Sequence, residues 1–260
     1  MNNLVISNNL MTIISFIVNL AFLIPFLFSI KNYFSKKRYI NKILEFSNDT
    51  TYITHSTFYF SNGTGHEHEY ITYESLEGIN NIIKLLHSVN KKFDLTENIV
   101  NPQNEINIGG FVSNKKVNAY FTKHFPNFKY IANIDRKSRY RKYPINQGLI
   151  DYSDKENGFL VGADIFLKID KTTDYAFVIK MKNKDFKNDN NKTVHIVFGG
   201  GNIGTVKATE YLSMYYKQIY KKYKTNHYFF ALEVNKIDNS INFSKGIIDL
   251  TDIMFKDNTQ

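Results

Sequence analysis

Gly199-Gly200-Gly201-Asn202-Ile203-Gly204-Thr205 follows the apolar run TVHIVF and precedes a helical pattern. Glycines at a strand-to-helix turn let the backbone bend sharply and approach a ligand closely. The free amides and the helix dipole at such a turn favour an anion, usually a phosphate. Gly199, Gly201 and Gly204 satisfy G-x-G-x-x-G in the context that motif requires. The dinucleotide fingerprint also needs an acid about 20 residues on, at the end of the next strand, to hold a ribose. The acid on that strand is Glu233, 29 residues past Gly204. A nicotinamide redox enzyme is therefore not favoured, and the two readings left are a phosphate or nucleotide cradle and a tight structural turn.

Gly109-Gly110, with Ser113 and Asn114 behind, repeats the pattern more weakly. Two such turns at the carboxyl ends of neighbouring parallel strands would share one crevice, where open α/β sheets bind ligands. The chain has four arginines, and Arg136, Arg139 and Arg141 lie within six residues. In a chain that otherwise uses lysine, clustered arginine suits the planar grip on phosphate or carboxylate, and Tyr140 and Tyr143 beside it could stack on a base. A solvated basic loop is the plain alternative. His66 and His68 would face the same way in an extended segment, but no third ligand can be assigned, so no metal site is expected. No Ser–His–Asp set can be assembled from spacing. Asp174 and Glu210 are the acids best placed near the crevice, and no catalytic residue is assigned.

These groups need a scaffold. β-branched and aromatic runs at 51–60, 105–110, 128–133, 159–169, 174–181, 193–198 and 227–234 read as strands, with a last one near INFSKGIIDL. Apolar spacing gives helices over 75–89, 114–124 (Ser113 as its N-cap) and 205–223, and 61–70 reads as a turn-rich loop. Strands alternating with helices argue an α/β fold, one Rossmann-like domain with a mainly parallel sheet.

Ahead of this domain, Leu10–Ile30 runs without a charged side chain, and Lys31, Lys36, Lys37, Arg38 and Lys42 follow directly. That length suits a single transmembrane helix, and the one-sided basic cluster predicts an amino terminus outside and a carboxyl-terminal domain in the cytoplasm at the inner membrane. The amino terminus lacks the positive charge and small-residue cleavage site of a signal peptide. Asn19 and Pro25 inside the run suit a helix that associates with copies of itself. The organisation expected is an anchor over 1–30, a basic connector over 31–50 and an α/β domain over 51–260. The net charge of +9 is mostly juxtamembrane: residues 43–260 hold 28 basic and 24 acidic side chains, or +4. Nucleic-acid binding is not called for. With no cysteine, disulfides, thiol catalysis and cysteine-bound metal centres are excluded.

The strand–GGGNIGT–helix segment resembles the P-G-G-x-G-T-x-x-E turn of the LOG nucleotide phosphoribohydrolases and the related SLOG sensor domains. Gly200, Gly201, Gly204 and Thr205 match its glycines and threonine. One extra residue separates the glycine pair from Gly204-Thr205, and the motif's catalytic glutamate position is Ala208 here, with Glu210 two residues later. The resemblance implies a Rossmann-like fold and a phosphate-bearing, nucleotide-derived ligand without the hydrolytic carboxylate. An anchored domain of this kind is similar to membrane effectors of bacterial antiphage signalling, such as those of CBASS, Thoeris and type III CRISPR systems. That likeness implies a cyclic oligonucleotide or ADP-ribose-derived messenger, homo-oligomers and a lipid bilayer as partners. The binding residues so expected are Gly109, Gly110, Ser113, Asn114, Arg136, Arg139, Arg141, Gly199, Gly200, Gly201, Asn202, Gly204 and Thr205. The competing expectation is an enzyme acting on the N-glycosidic bond of a nucleotide or NAD through Asp174 or Glu210.

Overall fold

TDYAFVIKMK (Thr173–Lys182) is buried along almost its whole length. A strand covered on both faces must sit in the middle of a sheet with layers on either side, and that is its place in the computed structural model. The structure describes residues 2–46, 50–56, 58–61, 67–96, 104–110, 113–132, 149–151, 157–182 and 192–256.

In chain order, α1 (Asn2–Leu44) leads to β1 (Thr51–Thr54), β2 (Phe58–Ser61) and β3 (Glu67–Tyr70). Next come α2 (Tyr73–His87), β4 (Phe93–Leu95), β5 (Asn104–Ile108) and α3 (Lys115–His124). Four short strands follow: β6 (Phe128–Ala132), β7 (Leu149–Asp151), β8 (Gly158–Val161) and β9 (Ile165–Lys168). The long strands β10 (Thr173–Lys182) and β11 (Thr193–Gly199) precede α4 (Asn202–Met214), α5 (Tyr216–Tyr223) and β12 (Tyr228–Asn235). The last elements are β13 (Ser240–Ile241), β14 (Ile248–Asp249) and α6 (Thr251–Phe255).

The main sheet has the order β13-β12-β10-β11-β5-β1-β4, with β14 also on β12. Pairs β4/β1, β1/β5 and β5/β11 are parallel, whereas β11/β10, β10/β12, β12/β13 and β12/β14 are antiparallel. The sheet is therefore mixed, not mainly parallel. Strand β10 slots in, reversed, between β11 and β12, so the β11–α4–α5–β12 passage steps over it. A strand buried on both faces reads the same in either direction, and direction is set by which neighbours it meets. Residues 67–70, expected in a loop, form β3, an antiparallel partner of β2.

Side chains alternate between two cores. Ala176, Val178, Val197, Phe230 and Leu232 face α2, α4, α5 and the end of α1. Phe177, Ile179, Ile196, Phe198 and Phe229 face α3, the β7-β6-β8-β9 sheet and α6. On this second side Phe177 and Phe198 stack with centroids 4.6 Å apart. The expected helix over 205–223 starts earlier and is interrupted at Tyr215, where φ −103° and ψ 20° leave helical geometry and separate α4 from α5.

The membrane-crossing helix is not found: among the described residues no helix is long and apolar enough to cross a membrane. Described side chains of α1 begin at Leu20. From Lys31 the helix turns basic and docks on the domain. Ile40, Ile43 and Leu44 are buried in the first core, and Tyr39 packs edge-on against Tyr220 of α5. The helix stops at Glu45, whose φ of 48° is left-handed, and the Glu45 carboxylate is met by Lys180 and Lys182 of β10.

Candidate functional site

Strand β11 delivers the triple-glycine turn to the carboxyl edge of the sheet, and α4 starts from it with Gly201 as an extended N-cap. Close approach explains three of the glycines. A Cβ on Gly199 would lie 2.3 Å from the Gly204 carbonyl carbon, one on Gly204 2.4 Å from the Tyr175 oxygen, and one on Gly200 2.2 Å from Ile169 Cδ1. At Gly201 the nearest neighbour would be Asp174 Oδ2 at 3.4 Å, ordinary contact.

The amides of this turn already hold an anion, and the chain supplies it. Asp174, at the start of β10, accepts the N–H of Gly201 at 3.1 Å and of Gly204 at 3.0 Å on Oδ2. Its Oδ1 accepts the N–H of Tyr175 at 2.7 Å. Antiparallel pairing with β11, Ala176 opposite Gly199, puts Asp174 at this edge. Burial pushes its carboxyl above the ordinary range, against the pull of the three N–H groups and of Lys236. Thr205 Oγ1 accepts the Gly199 N–H at 3.0 Å and donates to the Gly201 carbonyl, while Gly200 N–H goes to the Tyr175 carbonyl.

The second glycine turn stands beside the first. Strands β5 and β11 are parallel, Gly109 N–H donates to the Val197 carbonyl at 2.9 Å, and a Cβ on Gly110 would lie 3.9 Å from the Gly199 oxygen. Gly109 has φ +103°, and any side chain there would collide with Ser56 Oγ. Ser56, just past β1, shares a 2.7 Å hydrogen bond with Ser113, tying the loops after β1 and β5 together. The N-cap of α3 is Asn114, one residue later than expected: its Oδ1 accepts the N–H of Lys116 and Val117, and its Nδ2 donates to Thr54 Oγ1 and the Ile108 carbonyl.

Below this edge lies a buried polar network that sequence reasoning did not find. Thr54 donates to Asn107 Oδ1 at 2.6 Å, Asn107 donates to Glu105 Oε2, and Tyr120 donates to the same oxygen at 3.0 Å. Lys116 lies 3.6 Å from Glu105 Oε1. Burial pushes the Glu105 carboxyl up, against the Lys116 charge and these hydrogen bonds. The signal was present in NEINI: Glu105 and Asn107 share one face of a fully buried strand whose other face carries the two isoleucines.

No family model matches the chain, and no curated protein or solved structure matches it.

The chain path marks where such an edge opens. From β1 the connection through α2 runs to β4 on one flank, whereas β5 lies on the other flank and leads into α3. Helices α2 and α3 pack on opposite faces of the sheet. The carboxyl ends of β1 and β5 are thus a topological switch point, the usual ligand crevice of open α/β sheets. Gly109, Gly110, Ser113 and Asn114 line that point, and Gly199, Gly200, Gly201, Asn202, Gly204 and Thr205 form the adjoining turn. Arg136, Arg139 and Arg141, like His66, lie outside the described residues. Glu210 sits in α4 in an ion pair with Lys207. Among the described residues no group of three His, Asp or Glu side chains could hold a metal ion.

Proposed function

We propose that the chain binds a phosphate-bearing, nucleotide-derived ligand at the carboxyl edge of β1, β5 and β11, as a recognition protein. The observation that supports this most is the Asp174 carboxylate on the amides of Gly201 and Gly204. Those two N–H groups converge on one oxygen at the amino end of α4, the arrangement a phosphate oxygen would use. A ligand phosphate takes over the two amides as Asp174 withdraws. Burial holds the Asp174 carboxyl above the ordinary range, a cost that its withdrawal into water relieves. The turn after β5 forms the second wall.

Binding is favoured over turnover because Ala208 stands where the LOG-type motif has its glutamate and Glu210 is paired with Lys207. Assembly of several copies on ligand binding, in a bacterial antiphage response, is a second step of this proposal; it is supported by the likeness of such a domain, behind an apolar amino-terminal helix, to membrane effectors of those systems.

The test is calorimetric titration of the full chain with cyclic oligonucleotides, NAD and ADP-ribose derivatives, with mass spectrometry of the same samples. Saturable binding with the ligand recovered intact is the expected result. Turnover would move the chain to the enzyme class, and no heat from any member would remove the ligand reading.

A further inference from the structure

Between Leu20 and Phe34, helix α1 leaves its large apolar side chains uncovered: Phe22 is 75 % exposed, Phe26 and Phe28 60 %, and Phe34 63 %. Positions 22, 23, 24, 26, 27 and 28 are all apolar and exposed. At 100° per residue they spread over about 240° of the helix, and the apolar Ala21 and Pro25, also exposed, lie in the remaining sector. A partner groove or a second helix covers one stripe and would leave the remaining sides in water. Fluid hydrocarbon covers all sides at once. Directly behind stand Lys31, Lys36, Lys37 and Arg38, and the sequence has no acid before Glu45. A basic collar next to an all-round apolar segment complements anionic headgroups above acyl chains.

We propose that this segment inserts into an anionic lipid surface, with 20–30 among the acyl chains and Lys31–Arg38 at the headgroups. Among the described residues no helix is long and apolar enough to cross a membrane, so the proposal is insertion and not spanning. Burial of Ile40, Ile43 and Leu44 in the first core fixes the domain to the same helix, so insertion carries the domain to the surface. The proposal is independent of the ligand reading.

Flotation of the full chain with vesicles tests it, using phosphatidylcholine alone and phosphatidylcholine mixed with phosphatidylglycerol. The chain should rise with the anionic vesicles and less with the neutral ones. Phe22→Glu combined with Phe26→Glu should abolish flotation at unchanged circular dichroism, since neither ring is buried. Lys31→Ala and Arg38→Ala should each weaken partition about fivefold, a difference that shrinks in high salt. A full chain that stays in the vesicle-free fraction overturns the proposal. So does self-assembly that consumes the segment, seen as an oligomer that the double variant dissolves while neither form floats.

Discussion

Lys180 Nζ, on a side chain only 1 % exposed, lies 3.0 Å from the Glu45 carboxylate. This pair joins the end of α1 to the centre of the sheet, with Lys182 on the same carboxylate oxygen at 3.0 Å and the Thr225 carbonyl accepting from Lys180. Removing one member of a buried pair strands the other charge. Glu45→Gln should therefore destabilise the fold by about 2 kcal/mol, less than a fully buried pair because the carboxylate keeps some water. Lys180→Met removes the buried charge itself and should stay within about 1 kcal/mol of the parent. Urea unfolding midpoints check both; a parent-like midpoint for Glu45→Gln would show that the pair holds nothing.

Gly204→Ala and Gly201→Ala separate folding from recognition. A Cβ at Gly204 meets backbone at 2.4 Å and Asp174 Oδ2 at 2.8 Å, whereas at Gly201 it meets only Asp174 Oδ2 at 3.4 Å. The first should lose more than about 2 kcal/mol through forced backbone movement, the second under about 1 kcal/mol. Thermal melts of the two variants should differ accordingly, and equal melts would contradict the packing of the turn.

Asp174→Ala leaves the N–H groups of Gly201 and Gly204 without their carboxylate. The loss should be about 1–3 kcal/mol, the usual effect of stranding buried donors. Inorganic phosphate should then raise the melting temperature of the variant and leave the parent little changed. Equal responses in the two proteins would mean that the turn does not recognise phosphate.

His195 is fully buried, its Nε2 donating to the Leu44 carbonyl at 3.4 Å and its ring edge-on to Phe46. Burial, with the Lys180 charge beside it, lowers its pKa from 6.5 to about 3. The folded chain keeps the ring neutral while the unfolded chain protonates it near 6.5. Stability tied to His195 is therefore intact above that pH and is lost as pH falls towards about 3. Glu105 and Asp174 act in the opposite sense, because burial raises both carboxyls and their share fades as pH rises. Melting temperature should drop between pH 6.5 and 5, and His195→Gln should flatten that slope. An unchanged slope in the variant would assign the drop to other groups.

Local chemistry was legible from the chain alone. Apolar spacing in 75–89 and 114–124 marked α2 and α3 to within two residues, and the run TVHIVF followed by glycines marked the β11–α4 turn. Those features depend on neighbours a few residues apart, which a sequence displays directly. Strand direction did not follow, because β10 is apolar on both faces and its reversal beside β11 is decided by pairing. Nor did the anion at the glycine turn: Asp174 is 30 residues before Gly204 and reaches it only through the β10/β11 register. Ser56 and Ser113, 57 residues apart, meet because β1 and β5 lie side by side. The α/β class and both glycine turns follow from side-chain periodicity and backbone sterics, which act within a few residues of chain. The mixed sheet, the docking of α1 and the partner of each turn amide arise only on folding, because they depend on contacts between segments distant along the chain.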